Sequence, residues 1–293
     1  MIPKETLHKI RSLEIKTRKL VNSTFSGGYH SVFKGKGISF SEVREYCPGD
    51  DVRLIDWNVT AKVGSPYIKL FEEERELTVM ILVDISASGK FGSNDQTKID
   101  SAAEIAAILG FSANKNNDRV GLILFTNEVE RYIPPKKGKN HMFRILRDIY
   151  YFKPKNKTTS LSSALRFLLN TQHKKSVVFI ISDFLDQGFD HMMRLSAKKH
   201  DVVPIVIEDP REKDLLNLGH LYLEDEETGE TVLINTKSLH FQQAFKNIVY
   251  QEQLEKERFF KSINVTPIRI STKGGLMKAL QGYFKTRFKK ITN

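Results

Sequence analysis

Apolar residues fall along this chain in two rhythms. In residues 77–83 six of seven positions are apolar, Thr78 being the exception. Such a run is expected of a strand buried on both faces, as in a parallel sheet covered by helices. Residues 120–125, 176–181 and 201–207 repeat it, and 129–133 is a shorter run that Pro134-Pro135 is expected to stop. Between these runs the period lengthens. Ile99, Ala102, Ala103, Ala106 and Leu109 stand at helical spacing in 98–114, and Leu161, Leu165 and Leu168 do so in 160–170. Residues 141–150 and 188–199 also read as helices. Strand and helix alternating in this way predict an α/β fold built on a doubly wound, mainly parallel sheet.

The flanks read differently. Ile10, Leu13, Thr17 and Leu20 set one face of an N-terminal helix, and Gly27-Gly28 breaks the chain after it. Glycines and prolines then punctuate residues 28–76 into short extended pieces, a β-rich subdomain with Trp57 as its expected core anchor. Beyond the fourth strand come a hairpin (221–224 and 231–234), a long helix (237–262), a short strand (265–270) and a terminal helix (276–288). The expected organisation is an N-terminal helix (1–24), the β-rich segment (25–76), the α/β domain (77–236) and a basic, C-terminal helical extension (237–293) packed on the same domain.

Composition narrows the function. With 40% hydrophobic and 28% charged residues the chain is expected to be an ordinary globular protein. Charges run through the N-terminal segment and no apolar run is long enough to span a bilayer, so a cytoplasmic location is expected. The single cysteine, Cys47, excludes an intramolecular disulfide and a cysteine-rich zinc site. The net charge is +11, and residues 262–293 carry seven basic residues and no acid. Without a zinc finger, a helix-turn-helix signature or a stacking aromatic motif, that tail reads as a solvated or protein-facing surface rather than a nucleic-acid surface.

The candidate chemistry sits where the first buried strand ends. Asp84, Ser86 and Ser88 alternate just past its carboxyl end, the edge at which α/β sheets bind ligands. Small oxygen-bearing side chains in a tight loop suit a hard cation such as Mg2+. The run Asp84-Ile85-Ser86-Ala87-Ser88 resembles the Asp-x-Ser-x-Ser start of the metal-ion-dependent adhesion site (MIDAS) of von Willebrand factor type A domains. That resemblance implies two further residues, Thr159 before a helix and Asp183 after a later strand, with Thr158 as the alternative threonine. Ser86, Ser88 and Thr159 would touch the metal, and Asp84 and Asp183 would act partly through water. The ion would be Mg2+, or Mn2+ or Ca2+, with one position left for an Asp or Glu of a protein partner.

A second resemblance covers residues 25–240. Gly35-Lys36-Gly37-Ile38-Ser39-Phe40 and the stretch from Arg44-Glu45-Tyr46-Cys47-Pro48-Gly49-Asp50 through Ile55-Asp56-Trp57 are similar to the signature of a large bacterial family, domain-of-unknown-function family 58 (DUF58). From the residues alone, Pro48-Gly49-Asp50 sets a tight turn in which Asp51 and Asp56 accept from Arg44 or Arg53. Gly35-Lys36-Gly37 lacks the spacing of a nucleotide-binding loop. The family implies a von Willebrand A-like domain and a non-catalytic adaptor role beside MoxR-type AAA+ ATPases, in chaperone-like maturation of complexes. Two alternatives stand. A haloacid-dehalogenase-like phosphohydrolase would use Asp84 as nucleophile, Lys174 or Lys175 as charge stabiliser and Asp183 as metal ligand, with Ser86 in place of its general acid and only Asp186 as second acid. A basic nucleic-acid binder would use the C-terminal tail.

Overall fold

A computed structural model describes residues 12–15, 17, 39–72, 76–92, 96–213, 218–224, 229 and 231–292. Residues 12–15 and 17 are helical. The rest of the expected N-terminal helix and the Gly35-Lys36-Gly37 motif lie outside the described residues. The chain divides into two compact units, one of Phe33–Leu77 and one of Met1–Val32 with Thr78–Asn293.

In the smaller unit β1 (Ser39–Glu45) runs antiparallel to β2 (Tyr67–Glu72). Between them lies a helix, α1 (Trp57–Val63), where strands and turns are expected from the glycine and proline spacing. Its two ends account for it. The Asp56 carboxylate accepts from the backbone N–H groups of Asn58 and Val59, and Gly64 closes the last turn at a φ of 83°. Trp57 is not a core anchor: it is 69% exposed, and among the described residues of this unit Ile68 is the buried one. The arginine pairing also differs from expectation. Arg44 grips Asp50 through two 2.8 Å contacts, whereas Asp51 accepts from the backbone N–H of Arg53 and Asp56 serves the helix.

The larger unit is built on a six-stranded sheet. Its strands are β3 (Thr78–Asp84), β4 (Arg119–Phe125), β5 (Val129–Lys136), β6 (Val177–Ser182), β7 (Asp201–Glu208) and β10 (Ile268–Ser271), in the spatial order β10-β7-β6-β3-β4-β5. All neighbours are parallel except β4 and β5. Pro134 and Pro135 do not end β5, which runs on to Lys136. An edge strand tolerates proline because its outward positions donate to no neighbour, and the register of β5 against β4 shifts at this point. A separate hairpin pairs β8 (His220–Glu224) with β9 (Thr231–Asn235). The expected helical extension thus also supplies β10 to the sheet edge.

Helices cover both faces of this mostly parallel sheet. They are α2 (Lys98–Lys115), α3 (Lys139–Tyr151), α4 (Leu161–Thr171), α5 (Asp190–Lys199), the short α6 (Pro210–Lys213), α7 (Leu239–Ser262) and α8 (Leu276–Thr292). Met80 and Leu82 of β3 pack with Leu161, Leu165 and Leu168 of α4 and Phe260 of α7. Ile81 points the other way, beneath Gly110 of α2. Every residue of β3 from Val79 to Val83 is inaccessible to solvent, each large side chain contributing about 1.5–3 kcal/mol of burial. That rigid strand carries Asp84.

Candidate metal centre

The chain leaves β3 for β4 on one side and later returns to place β6 on the other. The sheet order therefore reverses between β3 and β6, and a crevice opens at their carboxyl ends, the place where such sheets bind ligands. Asp84 ends β3 there, and Asp183 follows β6. A small cavity of about 20 Å³ is lined by Asp84, Ser88, Lys98, Ser182 and Asp183.

Asp84 is 8% exposed and fixed at both oxygens. Oδ1 accepts from the Ser86 backbone N–H at 3.0 Å and Oδ2 from the Ser182 hydroxyl at 2.8 Å. Ser182 in turn accepts from the Phe184 N–H, which locks its rotamer. Burial, then the charge of Asp183, raises the Asp84 carboxyl to a pKa of about 6, against the opposing pull of its hydrogen bonds. Two carboxylates held together in a dry crevice are a place where a cation lowers the energy.

Ser86 and Ser88 stand on the turn that follows, their hydroxyls hydrogen-bonded to each other with the oxygens 3.0 Å apart. The loop bearing Thr159 is tied over the same edge. Ala87 N–H donates to the Lys157 carbonyl at 2.9 Å, and Ser160 N–H to the Thr126 carbonyl beyond β4 at 2.9 Å. Glu130 also holds that loop, accepting from the backbone N–H groups of Lys155 and Asn156. Thr159 is partly buried and Thr158 exposed. Asp84, Ser86, Ser88 and Asp183 thus meet at one edge, with the Thr159 loop bonded to their turn.

The donor set fits a hard divalent cation. Oxygens at adjacent corners of a Mg2+ octahedron, each about 2.1 Å from the ion, stand about 3 Å apart. The Ser86–Ser88 oxygens have that spacing. Both oxygens of Asp84 already accept from the protein, which suits a carboxylate that acts through water. Among the described residues no group of three or more His, Cys, Asp or Glu could hold a metal. An ion at this edge would have hydroxyls and two carboxylates to bind.

Lys98 escapes sequence inspection. Its side chain is 4% exposed, and its ammonium bonds Asp183 Oδ2 at 2.8 Å and also pairs with Glu212. Burial alone would lower the ammonium pKa, but Asp183 and Glu212 together outweigh it and hold Lys98 above the ordinary lysine value. A signal exists: Lys98 is the first residue of α2, directly after the N-cap Thr97 of a Thr97–Asp100 capping box, where the helix dipole disfavours a cation. A lysine placed there against the dipole has a partner elsewhere. Ser182 leaves a fainter trace, a hydroxyl closing an apolar strand.

A family model for the protein of unknown function DUF58 matches residues 42–255. This chain belongs to the DUF58 family. The uncharacterized protein Rv1480 of Mycobacterium tuberculosis is 31% identical over 223 residues, spanning 75% of this DUF58 chain and 70% of that protein. Among solved structures it is similar to the conserved hypothetical protein BatB of Bacteroides thetaiotaomicron, at 14% identity over 73% of this chain and 99% of that one, with a TM-score of 0.46. An aerotolerance-related membrane protein of Bacteroides fragilis is similar at 16% identity over the same shares, with a TM-score of 0.48.

Proposed function

We propose that this chain is a non-catalytic, metal-dependent protein-binding adaptor with a von Willebrand A-like domain, working with a MoxR-type AAA+ ATPase in chaperone-like maturation of complexes. The observation that carries the proposal is the Ser86–Ser88 hydroxyl pair, spaced at 3.0 Å beside buried Asp84, whose carboxylate feels the charge of Asp183. Ser86, Ser88 and Thr159 would hold Mg2+ (or Mn2+ or Ca2+) directly, and Asp84 and Asp183 through water. When bound, the ion offers an open position to an Asp or Glu of the partner. Ser182 and the Ser86 N–H keep Asp84 oriented, and Lys98 balances Asp183 until a second cation enters.

Three features favour binding over catalysis. Asp84 accepts a hydrogen bond at each oxygen, which dulls it as a nucleophile. Lys174 and Lys175 precede β6, at the end of the strand opposite Asp84, and cannot stabilise charge there. Asp186 accepts from the Leu161 N–H at 2.7 Å and so caps α4. The test is size-exclusion chromatography of the full chain with a MoxR-type ATPase from the same genome, in Mg2+ and in EDTA. A complex that forms in Mg2+ and is lost in EDTA and in Asp183→Ala supports the adaptor; co-elution indifferent to both defeats it.

A further inference from the structure

The β8–β9 hairpin is a sheet of two strands, and among the described residues it pairs with no strand of the other two sheets. Two strands alone are marginal in water; three or more, with an apolar face, are needed for independent stability. The base of the hairpin is nonetheless firmly built. The hydroxyl of buried Thr236 accepts from the Leu218 and Gly219 N–H groups at 3.0 and 2.9 Å and donates to the Gly219 carbonyl at 2.8 Å. The Gln242 amide, in the first turn of α7, donates to the Thr236 carbonyl at 2.7 Å.

β9 forms an edge that nothing blunts. Thr231-Val232-Leu233-Ile234-Asn235 holds no charge and no proline, and its register against β8 runs without a bulge. Edge strands left to solvent normally carry such devices. β8, by contrast, begins at His220 and ends at Glu224. The β9 edge is also apolar and open: Val232 is 59% and Leu233 53% exposed. Tyr222, directly opposite Leu233 on β8, is 75% exposed.

The strand matches itself when turned end over end. In an antiparallel pair centred on Leu233, Thr231 of one copy lies opposite Asn235 of the other, Val232 opposite Ile234, and Leu233 opposite Leu233. Residues directly opposite share a face, and Tyr222 already stands opposite Leu233 within each hairpin. Four strands joined in this way carry Tyr222, Leu233, Leu233 and Tyr222 in one unbroken apolar row. Charge agrees with the orientation. The turn that joins the strands, 225–230, has four acids and no base in its sequence, and the other end of the hairpin has His220 and Lys237. Antiparallel pairing sets the acidic end of each copy beside the basic end of the other, whereas parallel pairing sets acid against acid.

We infer that β9 pairs antiparallel with β9 of a second copy about Leu233, joining two hairpins into one four-stranded sheet and two chains into a symmetric dimer. Within β9, residue 233 alone faces its own counterpart across the two-fold axis.

The test is sedimentation velocity of the full chain over a concentration series, in which wild type moves from 33.7 kDa towards twice that mass. Leu233→Lys and Leu233→Glu each remove the central apolar contact and set like charges directly opposite one another. Each alone should weaken dimerisation at least about tenfold. An equal mixture of the two should dimerise again, because the charges that meet are then opposite; recovery in the mixture also excludes unfolding as the cause of the loss. Tyr222→Lys places a charge in the same row, but the two copies then hold their charges three strand spacings, about 14 Å, apart, where salt screens them. It should cost no more than about threefold. Wild type that stays at 33.7 kDa throughout overturns the inference and leaves the edge to a strand of another protein. A dimer that survives both Leu233 variants overturns it, because the interface then lies elsewhere. Variants whose mixture stays monomeric overturn it as well, because residue 233 then does not face itself.

Discussion

Replacing Lys98 by methionine keeps the stem and removes the charge, which isolates the ammonium. In the native protein that ammonium, 4% exposed, stands 2.8 Å from Asp183 and is also paired with Glu212. At an effective dielectric of about 20 the attraction across such a gap is about 6 kcal/mol, most of it offset by the desolvation of both groups. What the variant loses is compensation for a carboxylate that stays buried. Breaking one side of a buried pair costs about 3–5 kcal/mol, and in a unit of this size each kcal/mol moves the Tm by about 2–4 °C. Lys98→Met is therefore expected to melt about 6–20 °C below wild type in EDTA. Mg2+ should return much of that loss, because a cation held by Asp84 and Asp183 replaces the missing charge. Saturation at about 100 times Kd contributes about 2.7 kcal/mol. In wild type the ammonium repels the incoming ion, so the Mg2+-induced shift is smaller. Differential scanning calorimetry of both proteins over a Mg2+ series reads this directly. Equal Mg2+ shifts in the two would refute the reasoning, because Lys98 and the metal would then not share Asp183.

Other consequences are simpler to measure. Gly121→Ala puts a Cβ 2.6 Å from Met80 Sδ and 3.1 Å from the Ile133 carbonyl, so thermal denaturation should show a loss of about 1–3 kcal/mol. An unchanged Tm would mean that β3 and β5 yield more easily than their burial implies. Burial, then Lys199, depresses the His200 pKa to about 4, below its unfolded value of about 6.5. The unfolded chain thus takes up the proton first, and stability falls as pH drops from about 6.5 towards 4. His200→Phe should flatten that part of the Tm–pH curve, and an identical slope in both proteins would contradict the assignment. Trp57→Ala should leave stability within about 0.5 kcal/mol, since the side chain is 69% exposed. A larger loss by denaturant titration would restore Trp57 as a core residue.

Legibility in the sequence followed burial. Runs such as 77–83 and 176–181 have one physical explanation, a strand covered on both faces, and β3 and β6 lie there. Asp84, Ser86, Ser88 and Asp183 were legible because each ends or follows such a strand, so placing the strands placed the residues at one edge. α1 was hidden because its seven residues are too few for an apolar period, although Asp56 and Gly64 mark both its ends. Trp57 misled because bulk suggests a core, whereas position on a short exposed helix decides its burial. The Pro134-Pro135 pair misled for a related reason: whether proline ends a strand depends on which neighbour needs its N–H, and that is a property of the sheet. The partners of Lys98 and Ser182 were beyond reach because they stand 85 and 98 residues away in sequence. Such pairings exist only once the strands have assembled.

The most direct measurement is calorimetric titration of Mg2+ and Mn2+ into the full chain and into Asp84→Ala. A single site in wild type that disappears in the variant, with the fold intact by circular dichroism, is the result expected of a metal-dependent adaptor. Binding that survives Asp84→Ala, or no binding in wild type, would contradict it.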